Sequence, residues 1–172
     1  DENYTNEILS GDIHTANMKA AGLTDRNQAK TFIYAFLYGA GPAKIGQIVG
    51  GGYKEGQKLT DSFLRNTPAL ARLRERVSKF SAGGTLPGLD GRRIRVRSEH
   101  AALNSCLQSA GSLIMKQALI ILDRYAILWG IDYKFVGNIH DEFQVEVRED
   151  QASKFGALAA SCIEAAGIHF KL

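Results

Sequence analysis

Two cations and two tyrosines recur at every fourth residue of one segment: Arg26, Lys30, Tyr34 and Tyr38. At 3.6 residues per turn, this spacing places the four side chains along one stripe of a helix, with the cations before the rings. Cationic side chains bind phosphate oxygens, and aromatic rings pack against sugars and bases. The stripe therefore predicts a site for a polyanion such as a triphosphate at one end and a sugar or base at the other. The alternative is a pair of exposed cations followed by two tyrosines packed in a core.

Two adjacent carboxylates, Asp141 and Glu142, follow His140 in a tight connection between two strand-like runs. Mg²⁺ takes few protein carboxylates and keeps substrate phosphates and waters as its other ligands, so a hairpin tip of this kind suits it. Two-metal phosphoryl transfer needs acidic residues on more than one element. With the first stripe, the pair suggests phosphoryl transfer onto a nucleic acid. An ordinary acidic turn is the alternative, because Asp is common in turns.

Two further patterns are consistent with a nucleic-acid partner. His100, Asn104 and Gln108 are spaced four apart on a long predicted helix, where amide groups can reach sugar edges and minor-groove acceptors. Residues 65–97 hold nine cations against two carboxylates, and this stretch carries more than the whole net charge of +3. A concentrated basic stretch is expected of a contact with a phosphate backbone. A solvated polar helix face and a basic hairpin explain the same patterns without a ligand.

The bulk composition predicts a globular protein with one ordinary core or two small lobes, because the chain has 172 residues, 45% of them hydrophobic and 23% charged. No apolar run approaches the roughly 18 residues of a membrane span. The N-terminal residues do not resemble a signal peptide. Cys106 and Cys162 are too few for a disulfide framework or a four-cysteine zinc site, which indicates a reducing compartment.

Helix caps and breakers define the elements that must position the stripe. The predicted helices cover residues 4–21, with an interruption at 11–14, and then 26–38, 43–49, 54–65 and 68–80. Thr24 or Asp25 is the expected N-cap of the helix that begins at Arg26, and Gly39 ends it. Pro68 suits the first turn of its helix.

The second half is predicted to alternate strands and helices. A loop at 81–87 and a turn at 89–92 precede a strand at 93–97, a helix at 99–129, strands at 133–139 and 143–147, and a helix at 151–166. Leu103 and Leu107 begin the apolar repeat of the long helix, and Phe143, Val145 and Val147 share one face of their strand. The last residues, 169–172, suggest the start of another strand.

Because these patterns occur in this order, the chain resembles the C-terminal half of the polymerase domain of family A DNA polymerases. It looks most similar to the replicative enzymes of short-tailed phages. Arg26, Lys30, Tyr34, Tyr38 and Gly39 match the family's motif B. The residues 140–142, His-Asp-Glu, match motif C, and His100, Asn104 and Gln108 match the helix that contacts the primer–template minor groove. Residues 11–15, Gly-Asp-Ile-His-Thr, match the stretch before the fingers.

The resemblance implies a role for each matching residue. His14, Arg26 and Lys30 would hold the phosphates of the incoming nucleotide, and Lys30 would also be the general acid toward pyrophosphate. Tyr34 would pack against the sugar, whereas Tyr38 and Gly39 would border the templating base. The residues expected to contact the primer terminus or the minor groove are His100, Asn104, Gln108 and His140. Asp141 would bind catalytic Mg²⁺, with Glu142 assisting.

The expected fold is α+β, with a mostly helical fingers subdomain and a partial palm whose short antiparallel sheet carries the His-Asp-Glu hairpin. The expected boundaries are a palm-to-fingers connection at 1–25, fingers at 26–88 and a partial palm at 89–172. The expected reaction is two-metal nucleotidyl transfer from a dNTP to a primer 3′-hydroxyl.

Some expected parts of a polymerase have no match in this sequence. The second metal-binding aspartate of motif A, the thumb and the exonuclease domain are missing, so the chain is expected to be inactive alone. Upstream polymerase segments, primer–template DNA and dNTP are the expected partners, and an exposed sheet edge suggests self-association. The expected location is the cytoplasm, that of the host cell if the chain is phage-encoded.

Two other functions are consistent with part of the pattern. One is a piece of a single-subunit RNA polymerase, which resembles this chain in motif B but has Ser where this chain has Glu142. The other is a non-catalytic nucleic-acid-binding module, which would bind DNA regardless of Mg²⁺.

Overall fold

The computed structural model of the chain describes residues 2–139 and 141–171. These residues are mostly helical, with two two-stranded sheets. The elements in chain order are α1 (Glu2–Ser10), α2 (Ile13–Ala21), α3 (Arg26–Leu37), α4 (Pro42–Ile48), α5 (Tyr53–Asn66), α6 (Pro68–Ser81), β1 (Thr85–Pro87), β2 (Arg93–Arg95), a 3₁₀ turn (Glu99–Ala101), α7 (Ala102–Leu128), β3 (Tyr133–Ile139), β4 (Glu142–Val147), a second 3₁₀ turn (Glu149–Gln151) and α8 (Ala152–His169).

The chain divides into two compact units. The first comprises residues 1–86 and 95–106, and the second comprises residues 87–94 and 107–172. The boundaries at 25/26 and 88/89 expected from the sequence stay predictions.

An aromatic cluster forms the centre of the first unit. Phe32 and Phe36 lie on the buried face of α3, and Phe63 on α5 packs edge-on against both, with ring centroids 5.2 and 5.5 Å away. Ala29 and Ile33 complete this face at the spacing expected of an amphipathic helix. Because the apolar face of α3 is buried here, its polar stripe is left outside.

Side-chain caps set where α2 and α3 begin. Asp12 caps α2 by accepting a hydrogen bond from the backbone N–H of His14, and Asp25 caps α3 by accepting one from the N–H of Asn27. Of the two N-caps that the sequence left open, Asp25 is therefore the one used. Each carboxylate satisfies a backbone donor that has no partner within its helix.

The second unit packs the β3–β4 sheet and α8 against the end of α7. Its core contains Leu122, Ala126, Ile131, Phe155, Leu158 and Cys162. The strands are antiparallel, with Tyr133 opposite Val147 and Ile139 opposite Glu142. Phe143, Val145 and Val147 are half-buried against the core while the residues between them are exposed, which confirms the predicted strand face.

Four local predictions need correction. Residues 85–87 form β1, which pairs with β2, although the sequence predicted a loop there; three residues after two glycines are too few to show a strand pattern. Glu142 is the first residue of β4 rather than part of the connection. Leu107 is exposed, so the buried repeat of α7 does not include it. At the C-terminus α8 extends to His169 and a turn follows at Lys171, which replaces the expected strand in the described part of 169–172.

One helix among the described residues, Glu99–Leu128, is long and apolar enough to cross a membrane by length and composition alone. Its most apolar 18-residue window has a mean hydropathy of 1.3, and 22% of that window is buried. A single helix of this kind is weak evidence for a membrane span, because core helices of soluble proteins can have the same length and composition.

Candidate functional site

The four residues of the predicted stripe lie together on the exposed side of α3. Arg26 is the first residue of the helix, and Tyr38 is its C-cap. Tyr34 is 48% exposed and Tyr38 is 60% exposed, so the interpretation of these rings as core residues is wrong. Lys30 is exposed between them and has no ion-pair partner among residues 2–139 and 141–171.

An open concavity of about 730 Å³ borders the C-terminal part of this stripe. Lys30, Tyr34, Tyr38 and Gly39 line it, together with Thr31, Ala35, Ala40 and Lys44. It therefore combines two cations with two phenol rings, a lining that suits a phosphorylated ligand with a planar group. Sequence reasoning missed Lys44, because it lies on the separate short helix α4 and no repeated spacing connects it to α3.

Gly39 brings the end of α3 against the backbone of His100. Its φ is +82°, and a Cβ atom built on it would lie 2.0 Å from the carbonyl oxygen of His100. Only glycine fits, because any side chain would overlap a backbone atom and would also occupy the left-handed region. The structure thus brings together two residues that the sequence assigned to separate contacts.

Asp12 and Arg26 form a two-bond ion pair that joins the N-termini of α2 and α3. Arg26 Nε donates to Asp12 Oδ2 at 2.8 Å, and Nη2 donates to Oδ1 at 3.1 Å. The Arg26 guanidinium and the Thr15 hydroxyl hold the pKa of the Asp12 carboxyl well below its usual range. The pair in turn raises the pKa of Arg26. Sequence reasoning missed Asp12, although an Asp before a helix is a common N-cap signal.

His14, the third predicted phosphate ligand, is the second residue of α2. Its side chain is half-buried, and Nδ1 is buried with no hydrogen-bond partner in the described part of the chain. The structure therefore places His14 two residues after Asp12, the residue that pairs with Arg26.

The residues predicted to contact the minor groove differ in exposure. His100 lies in the 3₁₀ turn before α7 and is exposed, Asn104 is half-buried on α7, and Gln108 is exposed. His140 lies outside the described residues. His100 and Asn104 belong to the first unit and Gln108 to the second.

At the β3–β4 connection, Asp141 is an exposed turn residue and Glu142 is exposed at the start of β4. Glu142 Oε1 accepts a hydrogen bond from Gln144 Nε2 at 3.0 Å. Nowhere in 2–139 or 141–171 do three His, Cys, Asp or Glu side chains gather into a metal site. Because Mg²⁺ takes one or two carboxylates and completes its shell with phosphates and water, these two residues fit part of its coordination shell.

The nine cations of the basic stretch are all exposed. Lys79 pairs with Glu75 at 2.7 Å, and Arg92 pairs with Asp90 at 2.7 Å. The guanidinium of Arg74 lies over the Phe36 ring, 5.3 Å from its centroid. No ion pair holds Arg93, Arg95 or Arg97 in the ranges that the structure describes, and all three are exposed, so their charge is available to a phosphate backbone.

Comparison with known proteins gives relatives over nearly the whole chain. The DNA-directed DNA polymerase of Enterobacteria phage T3 is 47% identical over 172 residues, which cover 88% of this chain and 24% of the relative. The DNA-directed DNA polymerase of Escherichia phage T7 is 46% identical, with the same coverage. The chain therefore spans about a quarter of the length of these relatives.

A solved structure and a family model give the same placement. The POL domain of Pol1 from M. smegmatis, in a complex with DNA primer-template and dNTP, superposes with a TM-score of 0.82 at 20% identity, covering 95% of this chain and 32% of that one. At this identity the likeness shows the fold alone, which is that of a polymerase domain. The model described as DNA polymerase family A matches residues 7–172. This match shows that the chain belongs to DNA polymerase family A, as its resemblance predicted.

Proposed function

We propose that this chain is the fingers and part of the palm of a DNA-directed DNA polymerase, which transfers a nucleotidyl group from a dNTP to a primer 3′-hydroxyl. The observation that carries the proposal is the exposed stripe of α3, whose Lys30, Tyr34 and Tyr38 border an open concavity. A helix that buries its apolar face and exposes two cations and two phenols in one line is suited to a nucleoside triphosphate.

In this proposal the phosphates bind at the start of α3. Arg26 and Lys30 neutralise the triphosphate, and His14 adds a hydrogen bond to it. Lys30 has no ion-pair partner among the described residues, so its ammonium group is free to donate a proton to the departing pyrophosphate. The exposed ring of Tyr34 packs against the sugar, and Tyr38 and Gly39 border the templating base.

Primer–template DNA is the second proposed partner. His100, Asn104, Gln108 and His140 contact the primer terminus or the minor groove, where amide and imidazole groups meet acceptors common to all base pairs. Arg93 and Arg95 on β2, together with the nearby Arg97, bind the phosphate backbone. The exposure of His100 and Gln108 supports these roles.

Asp141 is the proposed Mg²⁺ ligand on this chain, and Glu142 assists nearby. Mg²⁺ in a two-metal site supplies activation of the attacking hydroxyl and stabilisation of the leaving group. Asp141 alone holds only part of such a site, and the chain spans 24% of each phage relative. We therefore propose that a second aspartate comes from a polymerase segment outside these 172 residues, as do the thumb and the exonuclease.

Self-association and location are further parts of the proposal. Phe135, Val136 and Ile139 on β3 are 42%, 68% and 49% exposed, and this apolar strand supports pairing with a second copy. The proposed location is the cytoplasm, where dNTPs and replicating DNA occur.

Primer extension by this 172-residue chain, with Mg²⁺ and dNTPs, tests the proposal together with a primer–template binding assay. Binding without extension is expected, because the second metal ligand is missing. Robust extension would contradict the incomplete metal site, and loss of both binding and extension would contradict the proposed function.

A second candidate is a module that binds nucleic acid without catalysis. The exposed Arg93, Arg95 and Arg97, which no ion pair holds among the described residues, favour it. Mg²⁺ distinguishes the two: a dNTP should bind the polymerase piece only with Mg²⁺, whereas a simple binding module should be indifferent to the metal.

A further inference from the structure

We propose that Asp12 is a positioning residue of the triphosphate site, which holds Arg26 and His14 in place for the phosphates without contacting the nucleotide. This inference rests on the proposed function, because it assumes that Arg26 and His14 bind the triphosphate. It assigns a role to an acidic residue at a site where a negative charge by itself would repel the ligand.

The Asp12 carboxylate is fixed by its own helix before it meets Arg26. Oδ1 accepts a hydrogen bond from the His14 backbone N–H at 3.0 Å, and Oδ2 accepts one from the Thr15 hydroxyl at 2.8 Å. Both oxygens are thus restrained at the first turn of α2, so the carboxylate presents a defined edge to the neighbouring helix.

The geometry of the pair leaves one side of Arg26 available. Asp12 occupies Nε and Nη2, one edge of the planar guanidinium. No hydrogen bond to Nη1 is found within residues 2–139 and 141–171, and the side chain is 51% exposed. A guanidinium has five donors in a fixed fork, so fixing one edge also fixes the direction of the other, which can bind a phosphate.

His14 depends on the same carboxylate through its backbone. Nδ1 of its ring has no hydrogen-bond partner in the described part of the chain, so no bond at that atom orients the ring. The bond from its N–H to Asp12 sets the start of α2 and ties the His14 backbone to the carboxylate that also holds Arg26. One carboxylate thus positions two of the three proposed phosphate ligands.

The test is a titration of the full 172-residue chain with inorganic tripolyphosphate. Binding is monitored by NMR through the signals of the Arg26 Nε–H and of the backbone amides of α2 and α3. Asp12→Asn keeps an N-cap, because Asn caps helices about as well as Asp, but it removes the ion pair. Asp25→Asn is the matched control, because Asp25 also caps a helix and forms no ion pair among the described residues. The titrations use about 0.3 M salt, at which the Debye length is shorter than about 8 Å, so that the lost charge itself contributes little.

We expect Asp12→Asn to weaken tripolyphosphate binding by about threefold, the scale of an exposed ion pair, and to shift the Arg26 Nε–H signal. Asp25→Asn should change neither quantity. In an Arg26→Ala background, Asp12→Asn should add no further loss, whereas an effect that does not act through the ion pair would weaken binding in both backgrounds.

Three results would overturn the inference. Tighter binding by Asp12→Asn would mean that Asp12 competes with the phosphate, and unchanged binding would mean that it only caps α2. If Arg26→Ala itself leaves binding unchanged, the proposed phosphate site fails and the role of Asp12 fails with it. A loss in Arg26→Ala without one in Asp12→Asn would refute the positioning role alone.

Discussion

Replacing Gly39 with alanine tests the close approach between the end of α3 and His100. A Cβ atom at this position would lie 2.0 Å from the His100 carbonyl oxygen, and the backbone φ is +82°. A left-handed conformation costs a residue with a side chain about 1–2 kcal/mol. Forcing an extra carbon into a packed contact adds about 1–3 kcal/mol. The free energy of unfolding should therefore fall by about 2–5 kcal/mol.

Gly50→Ala is the matched control for this substitution. Its φ is +71°, but no atom lies within 4 Å of a Cβ built there, so only the conformational cost applies. The assay is thermal unfolding followed by circular dichroism. The Tm of Gly39→Ala should be lower than that of Gly50→Ala by about 2–12 °C, the shift expected from the additional 1–3 kcal/mol in a chain of this size. Equal Tm values for the two variants would refute the contact between Gly39 and His100.

Three more predictions concern individual side chains. In a polymerase reassembled around this chain, Tyr34→Phe should raise discrimination against dideoxynucleotides, and an unchanged ddNTP/dNTP ratio would remove Tyr34 from the sugar site. Burial and the nearby Asp123, whose carboxylate accepts the Tyr133 hydrogen bond, raise the pKa of Tyr133 to about 12. Its contribution to stability should be complete below the ordinary pKa of about 10 and be lost as the pH rises through about 12. Tyr133→Phe should cost about 1 kcal/mol and remove a phenol that ionises near pH 12 in an ultraviolet titration. The lowered pKa of Asp12 means that its contribution is complete above its ordinary pKa of about 3.9 and is lost only as the pH falls below that value, so its carboxyl ¹³C shift should still be that of an ionised group at about pH 3.

The stripe of α3 could be predicted because one helix contains all of it. The four-residue spacing of Arg26, Lys30, Tyr34 and Tyr38 determines their common face, and the apolar residues between them determine which face is buried. For the same reason the alternation of Phe143, Val145 and Val147 was sufficient to orient β4.

The contacts between separate elements could not be predicted in this way. Asp12 caps α2, Arg26 begins α3 and Lys44 lies on α4, and nothing in their spacing indicates that these three elements bring them near the same stripe. The approach of Gly39 to His100 also depends on tertiary packing. β1 was missed because its three residues are too few to show a periodic pattern.

The most direct test of the proposed polymerase function is to supply the missing segments. The segment of the Escherichia phage T7 polymerase that aligns with this chain, at 46% identity, would be replaced by this chain, and primer extension would be measured with Mg²⁺. Asp150→Ala is the control for Asp141→Ala, because Asp150 is an exposed carboxylate that pairs with Arg148 at 2.9 Å.

We expect Mg²⁺-dependent extension by the chimera, retained in Asp150→Ala and abolished in Asp141→Ala while primer–template binding persists. Extension by Asp141→Ala at the unsubstituted rate would contradict the metal role of this hairpin. A chimera that binds primer–template but incorporates no nucleotide would contradict the account of the whole site.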